Sequence, residues 1–123
     1  MNERKRFSFK KRLSSFVYAV SGFRYFFITQ HNAWIHAVAT AVACILGFIC
    51  HISAMEWIAV IIAMAMVWVT ELFNTAIEQS MDHLSPAEHP EVKMIKDISA
   101  AAVLAAAIAA FIIGLIIFIP KLL

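Results

Sequence analysis

Residues 57–84 read Trp57-Ile-Ala-Val-Ile-Ile-Ala-Met-Ala-Met-Val-Trp-Val69 and then Thr70-Glu71-Leu-Phe-Asn74-Thr-Ala-Ile-Glu78-Gln-Ser-Met-Asp82-His-Leu84. The first half is uncharged and wholly apolar, as a helix crossing a bilayer must be. The helical pattern does not stop where the apolar run stops, because Thr70, Glu71, Asn74, Glu78 and Asp82 carry it onward. At about 1.5 Å per residue the stretch 55–84 makes about 45 Å of helix, against a hydrocarbon core of about 30 Å. A span over 55–77 is therefore expected, with further turns projecting from the membrane or bending along its face. Ser85-Pro86 ends the helix, since the residue before a proline disfavours the helical region.

Outward from this helix the whole chain has the same character. Its 123 residues are 63% hydrophobic and 15% charged, too apolar for a soluble domain of this size. No Asp, Glu, Lys or Arg occurs between Arg24 and Glu56 or between Asp97 and Lys121, and these gaps predict two more spans, near 32–51 and 98–119. One domain over 1–123, all-α, with three transmembrane helices, is the architecture expected. Seven basic residues precede the first span, Lys93 and Lys96 lie between the second and third, and the 51–55 turn has none. The N-terminus and the 83–97 loop then face the cytoplasm. Gly22 and Arg24 interrupt the N-terminal apolar stretch and no small-residue cleavage site follows, so a cleaved signal is not expected.

Residues 10–29 carry Leu13, Phe16, Val17, Val20 and Phe27 in one stripe, with Lys11, Ser15, Tyr18 and Gly22 opposite. That pattern predicts an amphipathic helix lying on the cytoplasmic leaflet. Arg24 falls near the apolar stripe, as a snorkelling cation or as a functional one. The third span begins at Lys96-Asp97, with Pro90 expected to keep the preceding loop irregular, and continues through Ser99 and a run of alanines whose small side chains allow close helix packing. With only three spans, an alanine-rich face is also expected to meet another subunit. Cys44 and Cys50 lie on different faces of the first span and suggest neither a disulfide framework nor a metal site. His31 and His36 are five apart, a spacing that does not set two ligands on one helix face.

The acidic residues carry the chemistry. Glu71, Glu78 and Asp82 are spaced seven and four apart, which places them within about 40° on one helix face, with Asn74 and Thr75 flanking the line. Glu78 and Asp82 can be read as solvated headgroup-level residues with Lys93 or Lys96 as partners. Glu71 cannot, because it follows the apolar run directly and an acid near a bilayer centre costs about 2.5–3.5 kcal/mol on insertion scales. A partly desolvated carboxylate there can take a proton from a substrate. Glu78, further out on the same face, suits a hard divalent cation such as Mg²⁺ shared with water and phosphate oxygens. A base beside a metal carboxylate at a membrane surface points to phosphoryl transfer. With only Gly22, Gly47 and Gly114 in the chain, no glycine-rich phosphate loop of either common kind can be drawn. Nucleotide contacts must then come from side chains, Lys96-Asp97 among them.

The segment Glu71-Leu-Phe-Asn74-Thr-Ala-Ile-Glu78 with Asp82, followed by Lys96-Asp97-Ile-Ser-Ala-Ala-Ala-Val103, resembles the prokaryotic membrane diacylglycerol kinases, a family that includes the undecaprenol kinases. Tyr18-Ala19 with Gly22, and Asn32-Ala-Trp-Ile-His36, extend the likeness over nearly the whole chain. The resemblance implies a homotrimer in a bacterial cytoplasmic membrane, with active sites shared between subunits near the cytoplasmic face and no nucleic-acid partner. It implies direct in-line transfer of the γ-phosphate of MgATP to a lipid alcohol, either diacylglycerol or undecaprenol. Glu71 would be the general base and Glu78 a metal ligand that also serves the nucleotide site. Lys96, Asp97, Glu88, His89, Lys11 and Tyr18 would bind nucleotide, and Gly22, Arg24, Asn74 and Asp82 would support the site and the lipid. At Gln30 the family usually has a Glu that is a second Mg²⁺ ligand, so the chain departs from the pattern there and should hold the ion more weakly. The ending Phe118-Ile-Pro-Lys121 and the His89-Pro90 loop look more like the undecaprenol kinases. The rival reading is a small oligomeric proton-coupled transporter or channel using Glu71 as its intramembrane carboxylate.

Overall fold

A computed structural model describes residues 7–87 and 89–123 as four α-helices, with no strand among the described residues. They are α1 (Phe9–Thr29), α2 (His31–Ile49), α3 (Ala54–Leu84) and α4 (Pro90–Leu122). The last three are each long and apolar enough to cross a membrane, which makes this a multi-pass membrane protein. The chain divides into two compact units, Met1–His31 and Asn32–Leu123.

In the first unit, α1 starts where the Ser8 hydroxyl accepts the Lys11 N–H at 3.4 Å, a side-chain N-cap. It stops at Gln30, whose backbone is extended (φ −116°, ψ 117°) while its N–H still donates to Phe26 O at 2.9 Å.

In the second unit, α2 closes with a left-handed residue, His51, at φ 49°. The Ile52 N–H donates to Gly47 O at 3.2 Å and the His51 N–H to Phe48 O at 3.3 Å, the paired bonds that satisfy a helix's last carbonyls. Ile52 is thereby turned into the core beside Leu46. Ser53 then starts α3: its hydroxyl accepts the Glu56 N–H at 3.2 Å, and the Glu56 carboxylate accepts the Ser53 N–H at 3.0 Å. At this end of the bundle Ile52, Val60, Ile117 and Phe118 form the buried apolar cluster, and Lys121 reaches Glu56 at 3.3 Å. Gly47 lets the helices close together, because a Cβ there would lie 2.6 Å from the Trp57 ring.

The α3 helix runs to Leu84 and is capped at Ser85, ahead of Pro86, as its sequence predicts. The start of α4 corrects an expectation. Pro90 does not keep the loop irregular; it is the first residue of the helix, with His89 as N-cap. A proline at that position loses no hydrogen bond, since the first helical N–H has no partner within the helix, and its fixed φ already suits the helix. The connection from α3 to α4 therefore shrinks to residues 85–89. The interface between these two long helices is the most extensive in the unit, and it aligns the acidic end of α3 with the start of α4.

Candidate functional site

The polar residues of α3 form a ladder, each rung tied to a neighbouring helix. The innermost acidic rung is Glu71, 4% exposed, whose Oε1 lies 2.7 Å from His36 Nε2 on α2. Burying a carboxylate without a partner is costly, and a hydrogen bond to a charged group returns about 1.5–3 kcal/mol. One turn deeper on the same two helices, the Trp68 indole N–H donates to Thr40 Oγ1 at 2.9 Å. The His36 and Trp68 rings meet edge to face, with centroids 6.3 Å apart. His36 and Thr40 are four apart on α2, and Trp68 and Glu71 three apart on α3, so neighbours on one helix face meet neighbours on the other.

The next rung joins α3 to α4. The Ser99 hydroxyl donates to Asn74 Oδ1 at 2.7 Å, and Asn74 Nδ2 donates to Glu78 Oε1 at 3.4 Å. Ser99 and Thr75 are both buried. Ser99, read from sequence only as a small packing residue, thus orients the amide that touches Glu78. Above it, Lys96 pairs with Asp82 across the two helices, while Lys93 pairs with Asp97 along α4 at 2.5 Å. These outer pairs are largely exposed and add little to stability.

Two cavities flank the ladder. A cleft of about 630 Å³ at the α3–α4 turn is lined by Asp82, His89, Lys93 and Lys96 together with Ser85 and Pro86. Its ammonium groups are point charges of the kind that meet phosphate. An apolar groove of about 520 Å³ runs from His36, Thr40 and Trp68 past Ala107, Ala110 and Gly114 to Phe118.

The structure thus lines up Glu71, Asn74, Glu78 and Asp82 along α3, Glu71 against α2 and Asn74 and Asp82 against α4, with Lys96 on Asp82 and His89 at the cleft. Asp97 is one residue on from Lys96 but turns to Lys93 instead. Lys11, Tyr18, Gly22 and Arg24 ride on α1 and Gln30 is its C-cap, all in the first unit. Glu88 lies outside the described residues. Sequence reasoning missed His36 as a partner of Glu71, having weighed it only against His31 as a metal ligand. A polar side chain inside an apolar span was the available signal.

The donor set suits Mg²⁺ in one particular manner. Among the described residues no group of three or more His, Cys, Asp or Glu is disposed to cage an ion. Glu78 offers a half-buried carboxylate held by Asn74, which fits a cation bound through one or two carboxylates plus substrate phosphates and water.

Residues 17–118 match the family model described as prokaryotic diacylglycerol kinase. Among curated relatives, the undecaprenol kinase of Bacillus subtilis (strain 168) is 40% identical over 108 residues, covering 88% of this chain and 88% of that protein. A diacylglycerol kinase of Synechocystis sp. is 37% identical over 112 residues, covering 90% of this chain and 64% of the relative. Every ladder residue from His36 to Ser99 falls inside the matched span, and Lys11 falls outside it.

Proposed function

Because this chain belongs to the prokaryotic diacylglycerol kinase family and is a lipid kinase, we propose that it transfers the γ-phosphate of MgATP to the hydroxyl of a membrane lipid alcohol. The reaction takes place at the inner face of a bacterial cytoplasmic membrane, with the N-terminus on that side, and the working unit is a homotrimer. The observation that carries the reading is the buried Glu71, hydrogen-bonded by His36 at the head of an apolar groove. Hydrocarbon-compatible surface therefore lies beside a carboxylate able to act as a base. The family match does not favour the transporter or channel alternative.

The residues divide the work as follows. Glu71 takes the proton of the lipid hydroxyl as its oxygen attacks the γ-phosphorus in line. The bond from that phosphorus to the β-phosphate oxygen breaks, ADP leaves, and no phosphoenzyme forms. Asn74, fixed by Ser99, orients Glu78. Glu78 would hold Mg²⁺, which when bound would neutralise charge on the β- and γ-phosphates, and the likeness to the family assigns Gln30 as a second, uncharged ligand. Lys96, Asp97 and His89, with Glu88, bind the nucleotide about the α3–α4 cleft. The likeness to the family assigns Lys11 and Tyr18 to nucleotide binding as well, both on α1, which is an amphipathic helix on the membrane face. Gly22, Arg24 and Asp82 support the site and the lipid.

Diacylglycerol and undecaprenol both present a primary hydroxyl at the interface, and the similarity in both sequence and length to an undecaprenol kinase favours undecaprenol. The test is a radiolabelled-phosphate assay with MgATP and both alcohols in the same mixed micelles. Label is expected in undecaprenyl phosphate in preference to phosphatidic acid. Preference for diacylglycerol would reverse the acceptor assignment, and label in neither would contradict the kinase reading.

A further inference from the structure

The geometry points to His36 as the residue that positions the catalytic base, holding one oxygen of Glu71 so that the other faces the acceptor hydroxyl. This rests on the kinase reading above. A carboxylate on a flexible two-methylene stem samples many orientations, and a general base must lie within hydrogen-bond reach of the proton it removes. His36 Nε2 sits 2.7 Å from Glu71 Oε1, between a side chain 18% exposed and one 6% exposed, where water competes little. With Glu71 ionised, Nε2–H donates and Oε1 accepts, so Oε2 is the oxygen that receives the lipid's proton.

The imidazole is itself held. The Trp68 ring meets it edge to face, and Trp68 is tied by its indole N–H to Thr40, one helical turn along α2 from His36. The chain Thr40–Trp68–His36–Glu71 therefore crosses three times between α2 and α3 and leaves the imidazole little freedom to turn. Such support on rigid helices is what a base needs to stay within a fraction of an ångström of its working position. The pair also lies at the head of the apolar groove, since His36 and Trp68 line it. A lipid chain in that groove brings its hydroxyl up beside the carboxylate. His36 acts through Glu71 and exchanges no atom with the substrate.

Two variants with the same amide chemistry and different reach test this. His36→Gln places an amide N–H about where Nε2 stands, whereas His36→Asn falls one methylene short. Initial rates are measured on the full chain in mixed micelles, varying MgATP and lipid alcohol separately, with a thermal midpoint for each variant. His36→Asn is expected to lower kcat by about 10²-fold, the scale of a 1 Å misplacement at a reacting centre. Its KM for either substrate should stay within about twofold of the parent, since binding before the chemical step is untouched. His36→Gln should restore kcat to within about tenfold of the parent by supplying the donor again. Parental kcat in His36→Asn overturns the inference, and so do equal losses in the two variants, which a purely structural role would produce. A parent protein silent with both alcohols overturns the kinase reading and this inference together. An active parent with an unaffected His36→Asn overturns this inference alone.

Discussion

Glu71, Asn74 and Glu78 are three acceptors on one helix, and each is held by a different neighbour: His36 from α2, Ser99 from α4, and Asn74 itself. The acids were legible in the sequence because their spacing repeats a helix face and because a carboxylate directly after an apolar run requires a reason. Their partners were not. His36 and Glu71 are 35 positions apart on separate helices. Helix α2 is apolar almost all round, so its sequence does not fix which way it is rotated. Gln30 is the C-cap of α1 in the first unit, at a position where the resemblance to the family implies a metal-binding Glu. A carboxamide brings no charge to a divalent ion, so Gln30→Glu is expected to lower the Mg²⁺ concentration for half-maximal rate. A titration of initial rate against Mg²⁺ checks this, and an unchanged requirement would remove Gln30 from the metal site.

At the scale of elements, the 31-residue α3 was readable along its apolar run and out to its end, while its Ser53 capping box emerged only in the structure. Its apolar run, its face of acids and its Ser85-Pro86 stop all point the same way. Helix α4 was readable only in its membrane portion, because Pro90 signals both a break and a first helical residue, and only the turn before it decides which. The Gly47–Trp57 approach was illegible, since a glycine inside a helix announces a close neighbour without naming it. Gly47→Ala would gain up to about 1 kcal/mol of helix propensity. The new methyl, however, meets the Trp57 ring 2.6 Å away, within a cluster that includes Ile52 and Leu46. Overpacking of this kind costs about 1–3 kcal/mol, so the clash prevails and the variant is expected to be less stable. Its thermal midpoint in detergent should fall below the parent's, and an equal or higher midpoint would show that Trp57 moves aside freely.

For the whole molecule, the composition excluded a soluble globule before any element was drawn, and the exposed faces of the folded chain show why. Leu104, Ile108 and Phe111 stand out from α4, and Ile58, Ile61 and Ile62 from α3, each at least half exposed. In water such a surface would aggregate; in a bilayer it is the solvated surface. Membership of the family and the lipid-kinase activity follow from a likeness that covers residues 17–118. Removal of the lipid hydroxyl's proton by Glu71 is the proposal on which the rest of the mechanism depends. The direct measurement is transfer of label from γ-labelled MgATP into lipid by the parent and by Glu71→Gln, side by side in the same micelles, with the oligomer of each checked by size. Glu71→Gln keeps the shape of the side chain and its hydrogen bond to His36 but loses the basic oxygen. The account predicts a parent that labels lipid and a Gln variant of the same size that labels none above background; parental labelling by the variant would contradict it.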